Sequence, residues 1–413
     1  MRIAFLLNQF PQLSETFILN QITGLIDRGH HVDVYMRGPS SQAKRHPDVE
    51  RYGLAGINLL QDEFPHNQRW PVLLRTVGCA LKQVFRHPRL AAKCAGDLRP
   101  GSIRDALRRL YPVAEFLDRG PYDVVHAHYG INGLWALRLR RAGAFQSKVV
   151  VTMHGAFDVS TFVAQHGRHA YKELFETADR IMAISENLAG RLRVLGCPPE
   201  RLTVHRVGVK IGGTAGPSIP TASPLRVVSV ARLVDVKGIE IGVQAISRLV
   251  KDFPDLQYKI VGDGPLRDAI HSLVMELGLE SSVRLLGWQD QGEVHALLDS
   301  ADVLLAPSVT AEDGGQEGLP TVLMEAMAAG LPVVATGYSG TPELVRDGLD
   351  GRLTPERNVE AVAEALSEIL RSEDLRRTMG KNARQRVSEL HDINTLNERL
   401  IEIYRDAGPE AVQ

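Results

Sequence analysis

The sequence predicts an α/β protein built from two doubly wound, Rossmann-like domains facing across a cleft. Three observations lead there. The chain has 413 residues, long for a single core. Short apolar, β-branched runs alternate with helical spacing in both halves, the alternation that builds a parallel sheet covered on both faces. Residues 212–224 hold three glycines and three prolines with few apolar side chains, which marks a boundary between the halves. The expected division is 1–210, a linker at 211–224, a second domain at 225–392 and a helix in 393–413 that packs back on the first domain.

The elements follow in order. Residues 2–7 are an apolar strand. Residues 14–25 carry Phe17, Ile18, Ile22 and Leu25 at helical spacing, with Ser14 as N-cap. Gly29 closes that helix and 31–35 is the next strand, a βαβ opening that implies a parallel sheet. Further strands are expected at 124–127, 149–153, 180–184 and 202–206. After the linker come strands at 225–231, 257–261, 283–286, 303–306 and 333–335. Helices are expected at 239–251, 266–277, 293–300, 320–329, 358–370 and 375–389. Residues 393–406 form an amphipathic helix through Ile393, Leu396, Leu400, Ile403 and Tyr404.

Composition narrows the function. The formal net charge is −1, so the whole-chain balance does not point to nucleic acid. Cys79, Cys94 and Cys197 form neither a paired metal motif nor an even disulfide set, which suits a reducing, cytoplasmic setting. The opening residues read as a buried strand, not a signal peptide. No stretch reaches the roughly 18 apolar residues of a spanning helix, so a membrane would be met at its surface.

The chemistry-bearing pattern is Glu317-Gly-Leu-Pro-Thr-Val-Leu-Met-Glu325. Pro320 suits the first turn of a helix, where its missing N–H costs nothing. Glu317 and Gly318 then lie in the preceding loop, and Glu325 more than a turn inside the helix. The helix start offers free N–H groups and a positive dipole end to an anion such as a diphosphate. Asp313-Gly314-Gly315-Gln316 allow close backbone approach. Two solvated charges are the other reading of the same spacing.

Arg232 and Lys237 follow the strand 225–231 in Ala-Arg-Leu-Val-Asp-Val-Lys-Gly. Two cations between a strand end and a helix suit a diphosphate and neutralise charge growing on a departing phosphate. An exposed basic pair is the alternative. Gly262-Asp263-Gly264 closes the next strand, as a structural turn or as a border of the same cleft.

Taken together, Ala231-Arg232-Leu233…Lys237-Gly238, Gly262-Asp263-Gly264-Pro265, Glu317-x7-Glu325 and the Ala-Met-Ala-Ala-Gly-Leu-Pro-Val-Val that follows resemble glycosyltransferase family 4. This family comprises retaining enzymes of the GT-B fold. Phe10-Pro11-Gln12-Leu13-Ser14-Glu15-Thr16-Phe17 is similar to a subgroup that builds bacterial exopolysaccharides, including colanic-acid-type transferases. The resemblance implies a nucleotide-sugar donor, UDP favoured over GDP, with no separate cofactor and no metal. It implies that Arg232 and Lys237 bind the diphosphate, Glu317 the hydroxyls of the transferred sugar and Glu325 the ribose. Leu319, Pro320 and Thr321 would lie over the phosphates, with Gly262 and Gly318 lining the donor site. Thr152-Met153-His154-Gly155 matches the motif whose histidine lines the reacting centre; a structural histidine at a strand end is the plainer reading of His154. Where many members carry paired glycines in the first βα loop, this chain has 8–14, Asn-Gln-Phe-Pro-Gln-Leu-Ser, and Ser14 and Thr16 are candidate substitutes. Ser339 also stands where a glycine is common.

The expected reaction moves a hexose to a saccharide hydroxyl, on an acceptor carried by a lipid. The first domain would bind the acceptor and the second the donor. A sugar-nucleotide epimerase, a glycogen-synthase-like polymerase and a non-catalytic nucleotide-sugar-binding protein are the alternatives. A Rossmann dehydrogenase is disfavoured because no GxGxxG follows the first strand. Between 65 and 111, ten arginines and lysines face only Asp97 and Asp105. Within this stretch Trp70, Leu73, Val77, Leu81 and Val84 share one helical face. Such a helix can lie on an anionic membrane at the inner face of the cell, or simply cover the first domain.

Overall fold

The computed structural model describes residues 1–12, 15–39, 46–54, 56–58, 112–113, 115–155, 157–212, 224–311 and 316–407. Ser14, the basic stretch at 65–111, Cys79, Cys94, most of the Gly/Pro-rich linker and Asp313-Gly314-Gly315 lie outside them.

Two parallel sheets organise the chain. The first has seven strands: β1 Arg2–Phe10, β2 His31–Pro39, β3 Gly56–Asn58, β4 Val124–His128, β5 Lys148–Met153, β6 Arg180–Ala183 and β7 Leu202–Val204, in the order β3-β2-β1-β4-β5-β6-β7. The second has six: β8 Arg226–Val230, β9 Gln257–Val261, β10 Val283–Gly287, β11 Val303–Ala306, β12 Val333–Thr336 and β13 Gly351–Thr354, in the order β10-β9-β8-β11-β12-β13. In each sheet the order reverses beside the first strand of its half (β1 or β8), and the crevice there is where ligands of such folds bind.

Alternation explains the layers. In β1, Ile3, Phe5 and Leu7 bury one face against Ile18 and Ile22 of the helix Thr16–Asp27 and against Leu400 and Tyr404. Ala4 and Leu6 face the other side, with Val125, Val151 and the helix Gly130–Arg141. A strand buried on both faces reads as an unbroken apolar run, which is why residues 3–7 of β1 and 149–151 of β5 stand out in the sequence. The second sheet repeats the plan. Val227, Tyr258, Ile260 and Val303 pack on Ile239–Leu249 and Val359–Arg371. Val228, Leu304 and Val333 pack on Thr321–Ala328 through Leu323, Met324 and Met327.

Two helix starts differ from expectation. The first helix begins at Thr16, with Glu15 rather than Ser14 at the N-cap position and no side-chain capping bond. The helix after Glu317 begins at Thr321, and Pro320 is its N-cap in an extended conformation (φ −62°, ψ 120°). The short elements β3 and β13 carry too few apolar residues to announce themselves in sequence.

The chain crosses between the sheets twice, and the crossings clasp each other. Val209 N–H donates to the His391 carbonyl (2.9 Å) and Ile393 N–H to the Val209 carbonyl (3.1 Å). The helix Ile393–Asp406 then lies on the first sheet's helix Thr16–Asp27. Its Tyr404 hydroxyl bonds His126 Nδ1 at 2.7 Å, and Lys148 Nζ donates to the Arg405 carbonyl at 2.7 Å.

Candidate active site

The carboxyl ends of both sheets meet at one place. Gly155, just past β5, is in the left-handed region (φ 109°), and a Cβ there would lie 3.2 Å from Gly318 Cα. A Cβ on Gly318 would lie 2.7 Å from the His154 carbonyl oxygen, below any tolerable contact. The two loops can touch only because both residues lack side chains.

On the second-sheet side, Lys237 and Glu317 form an ion pair, Lys237 Nζ to Glu317 Oε1. Ser308 Oγ donates to Glu317 Oε2 at 2.9 Å. The Glu317 N–H donates to the Tyr338 hydroxyl at 3.4 Å, and burial beside Glu317 pushes that phenol's pKa up. Gly318's carbonyl accepts from Gly340 N–H (3.2 Å) and Ser339 Oγ (3.4 Å). The loop is therefore held at both ends before any ligand enters. Leu319 and Pro320 carry it to the helix Thr321–Ala328, whose first N–H groups have no side-chain cap. Glu325 sits on the second turn of that helix, and burial raises its carboxyl above the usual range.

Arg232 is exposed in the loop after β8, with no carboxylate partner among the described residues. Gly262 explains how that loop is placed. It has φ 129°, and any Cβ would meet the Ala231 carbonyl at 1.8 Å. Backbone bonds from Ala231 to Val261 (2.9 Å) and from Leu233 to Asp263 (3.0 Å) tie the Arg232 loop to the turn after β9. Gly262 thus acts by letting two loops lie side by side.

On the first-sheet side His154 is held through its backbone, its ring faces and its Nε2. Its backbone N–H donates to Asp158 Oδ2 at 2.8 Å, and the same carboxylate takes the Gly130 N–H on Oδ1 at 2.8 Å. Burial pushes Asp158 up to about 6, against those hydrogen bonds. The His154 ring packs on Phe17 and Tyr129, centroids 5.2 and 4.7 Å away. Its Nε2 lies 2.8 Å from His128 Nδ1. Burial pushes His154 down to about 3, and holds His126 and His128 well below the usual imidazole value, so all three rings are neutral at pH 7. Tyr129 takes φ 71°, rare for a residue with a side chain, and its hydroxyl donates to Glu15 Oε1 at 2.7 Å. Burial raises the Glu15 carboxyl. Thr16 is the first residue of the helix beside it. A cavity next to His154 is bounded by Phe17, Gln21, His128, His205, Arg206 and Leu396. Lys237 and Glu325 do not line it, so it belongs to the first sheet's side of the centre.

The halves are also latched away from the centre. Glu343, just past β12, accepts from the Glu186 N–H (2.8 Å) and the Asn187 N–H (2.6 Å). These are the first residues of the helix Glu186–Val194, where a carboxylate meets both free donors and the positive dipole end. Arg206 stands 3.9 Å from the same carboxylate.

Of the residues singled out from sequence, the fold pairs Lys237 with Glu317, places Gly318, Leu319, Pro320, Thr321 and Glu325 along the loop and helix that follow, and sets the His154 carbonyl against Gly318, while Arg232 lies exposed in the loop that leads from β8 to Lys237. Ser14 lies outside the described residues. Sequence reasoning misses Glu15, His128, Asp158 and the role of Glu343. His126-Ala127-His128 at a strand end is the signal for one of them, since period-two spacing puts both rings on one face.

The family described as "Glycosyl transferases group 1" matches residues 220–386, and "Glycosyltransferase Family 4" matches residues 14–211. The chain is 36% identical over 403 residues to a Salmonella typhimurium protein named for colanic acid biosynthesis, the glycosyltransferase WcaL, covering 97% of this chain and 98% of that protein. It is 33% identical over 380 residues to the amylovoran biosynthesis glycosyltransferase AmsK of Erwinia amylovora, covering 90% and 91%. Among solved structures, HepE of Anabaena in complex with UDP superposes with a TM-score of 0.72 at 20% identity over 98% of this chain and all of that one. The sucrose-phosphate synthase of Thermosynechococcus elongatus gives 0.72 at 21% identity, over 98% of each chain. Those two likenesses establish the fold, and the two close relatives the lineage. The chain belongs to glycosyltransferase family 4 and is a transferase of the GT-B fold, in the group that holds the exopolysaccharide-biosynthesis glycosyltransferases.

Proposed function

We propose that the enzyme transfers a hexosyl group from a UDP-sugar, in preference to a GDP-sugar, to a hydroxyl of a lipid-linked saccharide during exopolysaccharide assembly, with retention at the anomeric carbon. The observation that carries this reading is the joint placement of Lys237, Glu317 and the uncapped start of Thr321–Ala328, with Arg232 exposed five residues before Lys237 and free of any carboxylate among the described residues. Two cations and a helix N-terminus suit a diphosphate. Two carboxylates on the same loop-helix unit suit hydroxyls: Glu317 the transferred sugar, Glu325 the ribose. The pair is not an acid and base flanking a glycosidic bond. The neighbour HepE, solved with UDP and with UDP-glucose, supports a uridine nucleotide.

In this reading the sugar–phosphate bond breaks as Arg232, Lys237 and the helix start take up charge on the leaving diphosphate. The Lys237–Glu317 pair is the resting arrangement, and the donor enters by exchanging it for phosphate and sugar hydroxyls. Contact between the His154 and Gly318 loops excludes water from the reacting centre. The test is a panel of UDP- and GDP-sugars, read by slow donor hydrolysis and by thermal shift. Stabilisation and turnover with one or more UDP-sugars is the expected result; response to GDP-sugars alone, or to none, overturns it.

The acceptor and the membrane rest on the basic segment at 65–111 and on the relatives' names. Among the described residues no helix is long and apolar enough to cross a membrane. Flotation with anionic and neutral liposomes decides whether the chain lies on an anionic surface.

A further inference from the structure

We propose that His128 is a positioning residue that fixes the tautomer of His154, so that His154 meets the substrate as an Nδ1–H hydrogen-bond donor and not as a base. The mechanistic consequence rests on the function proposed above; the tautomer itself does not.

The two rings lie nearly parallel, 16° apart with centroids separated by 5.1 Å, and are joined through His128 Nδ1 and His154 Nε2 at 2.8 Å. A neutral imidazole carries one proton, and a bond between two ring nitrogens holds one proton between them. There are two ways to place it. If His154 Nε2 donates, His128 must carry its own proton on Nε2. If His128 Nδ1 donates, His128 Nε2 is a bare lone pair and His154 carries its proton on Nδ1. His128 Nε2 is buried and has no hydrogen-bond partner among the described residues. A buried N–H without an acceptor is rarer than a buried acceptor with an unused lone pair, which selects the second arrangement.

The supports around the pair are rigid. His128 ends β4, is 1% exposed, stacks on Phe5 (centroids 5.5 Å apart) and offers its carbonyl to Asn132 Nδ2 at 2.8 Å. His154 directly follows the neighbouring strand, with its backbone tied to Asp158. His154 Nδ1 has no protein partner among the described residues, so its proton is available to a substrate oxygen.

The consequence for the reaction is specific. An Nδ1 that bears the proton has no lone pair to accept another from the acceptor hydroxyl, and the basic Nε2 is occupied by the His128 N–H. As the acceptor oxygen bonds the anomeric carbon and the bond to the diphosphate breaks, the hydroxyl proton passes to an oxygen of the leaving diphosphate. His154 holds a substrate oxygen throughout.

The imidazole 15N spectrum of the ligand-free full chain tests the assignment, because protonated and unprotonated ring nitrogens resonate far apart. His154→Gln identifies the relevant signals. The expected wild-type spectrum shows His154 protonated on Nδ1. His128→Asn places an amide where Nδ1 stood and keeps both that form and near-normal UDP-glucose hydrolysis. His128→Leu releases the tautomer and lowers hydrolysis roughly tenfold, the scale of lost outer-shell hydrogen bonds. Wild-type His154 protonated on Nε2, or a tautomer unchanged in H128L, overturns the proposal. Should H128L not fold, the wild-type and H128N spectra decide alone. Failure of UDP-glucose turnover in the wild type would speak against the donor and leave the tautomer read from the spectrum untouched.

Discussion

The two sides of the cleft are built differently. The second-sheet side is a compact cassette: Glu317 to Glu325 span one loop and one helix, and Lys237 and Arg232 come from a single loop beside it. The first-sheet side is gathered from distant segments. Glu15, Tyr129 and His154 meet across β1, β4 and β5, and Tyr404 reaches His126 from the opposite end of the sequence. A charged ligand is gripped by short local motifs that any sheet can present. A wall of neutral, buried histidines needs packing from many directions, because each ring must lose most of its contact with water.

The largest expected effect tests the cassette. Lys237→Ala should lower donor turnover by roughly 100- to 1,000-fold, the scale for removing one preorganised charge contact. The melting temperature should stay close to wild type, since the pair is near the surface of the cleft and partly exposed. Near-normal turnover would end the phosphate assignment and, with it, the contrast.

Gly318→Ala attacks the seam between the sides. Its Cβ would press on the His154 carbonyl at 2.7 Å, so the loops must separate. Turnover should fall by up to about 100-fold, as expected for misplacement of order 1 Å at a reacting centre. Binding of UDP alone, measured by calorimetry, should survive. Loss of UDP binding as well would show the cassette depends on the other side.

The pH dependence of stability tests the histidine wall. In the unfolded chain His154 and His205 protonate near 6.5, whereas burial holds them to about 3 in the fold. Between those values the unfolded state binds more protons, so stability is full above about 6.5 and falls as pH drops toward 3. Each of the two contributes about 1.4 kcal/mol per pH unit within that window. Thermal melts from pH 7 to 4 should show the decline, and H205Q should make it shallower. A flat profile would mean the wall is wet.

The smallest effect concerns the latch. Glu343→Ala removes a carboxylate that accepts from Glu186 and Asn187, and should raise the donor KM a few-fold, consistent with about 1 kcal/mol for a helix-end charge. X-ray scattering without ligand should report a larger radius of gyration. An unchanged KM would assign closure to the His154–Gly318 contact alone.

The same contrast explains what is legible in the sequence. Most strands appear within two or three residues of their place because β1, β5, β8 and β11 are largely apolar runs buried on both faces. The motifs around Lys237 and Glu317 are readable because their geometry is local: a loop, a helix start, a strand end. Pro320 lies one residue outside its expected place, since its fixed φ suits an N-cap as well as a first turn. Capping propensity favours Ser14 over Glu15, and propensity cannot see that the Glu15 carboxylate is claimed by Tyr129. Asp158 is invisible for a related reason. Its two short partners, the His154 and Gly130 N–H groups at 2.8 Å, are backbone, and the Tyr171 hydroxyl at 3.4 Å comes from 13 residues along the chain, so no local side-chain pattern records them. Glu343 lies on the short helix Thr341–Leu344 just past Ser339, but its partner is a helix end more than 150 residues away.

The helix Ile393–Asp406 has a consequence for synthesis. Leu400 and Tyr404 complete the layer over Phe5 and Ile22, and the Tyr404 hydroxyl satisfies His126. A ribosome that has released the whole first sheet has still not released this cover. The nascent first half must wait, with one face of β1 and its neighbours open, while the entire second sheet is made and folds ahead of it. The order of maturation is therefore the reverse of the order of translation: the second-sheet half can be finished first, and the half that holds His154 is sealed only afterwards. A fragment stopped at the linker would carry an unsealed sheet, and the helix supplied in trans is the piece that should rescue its solubility.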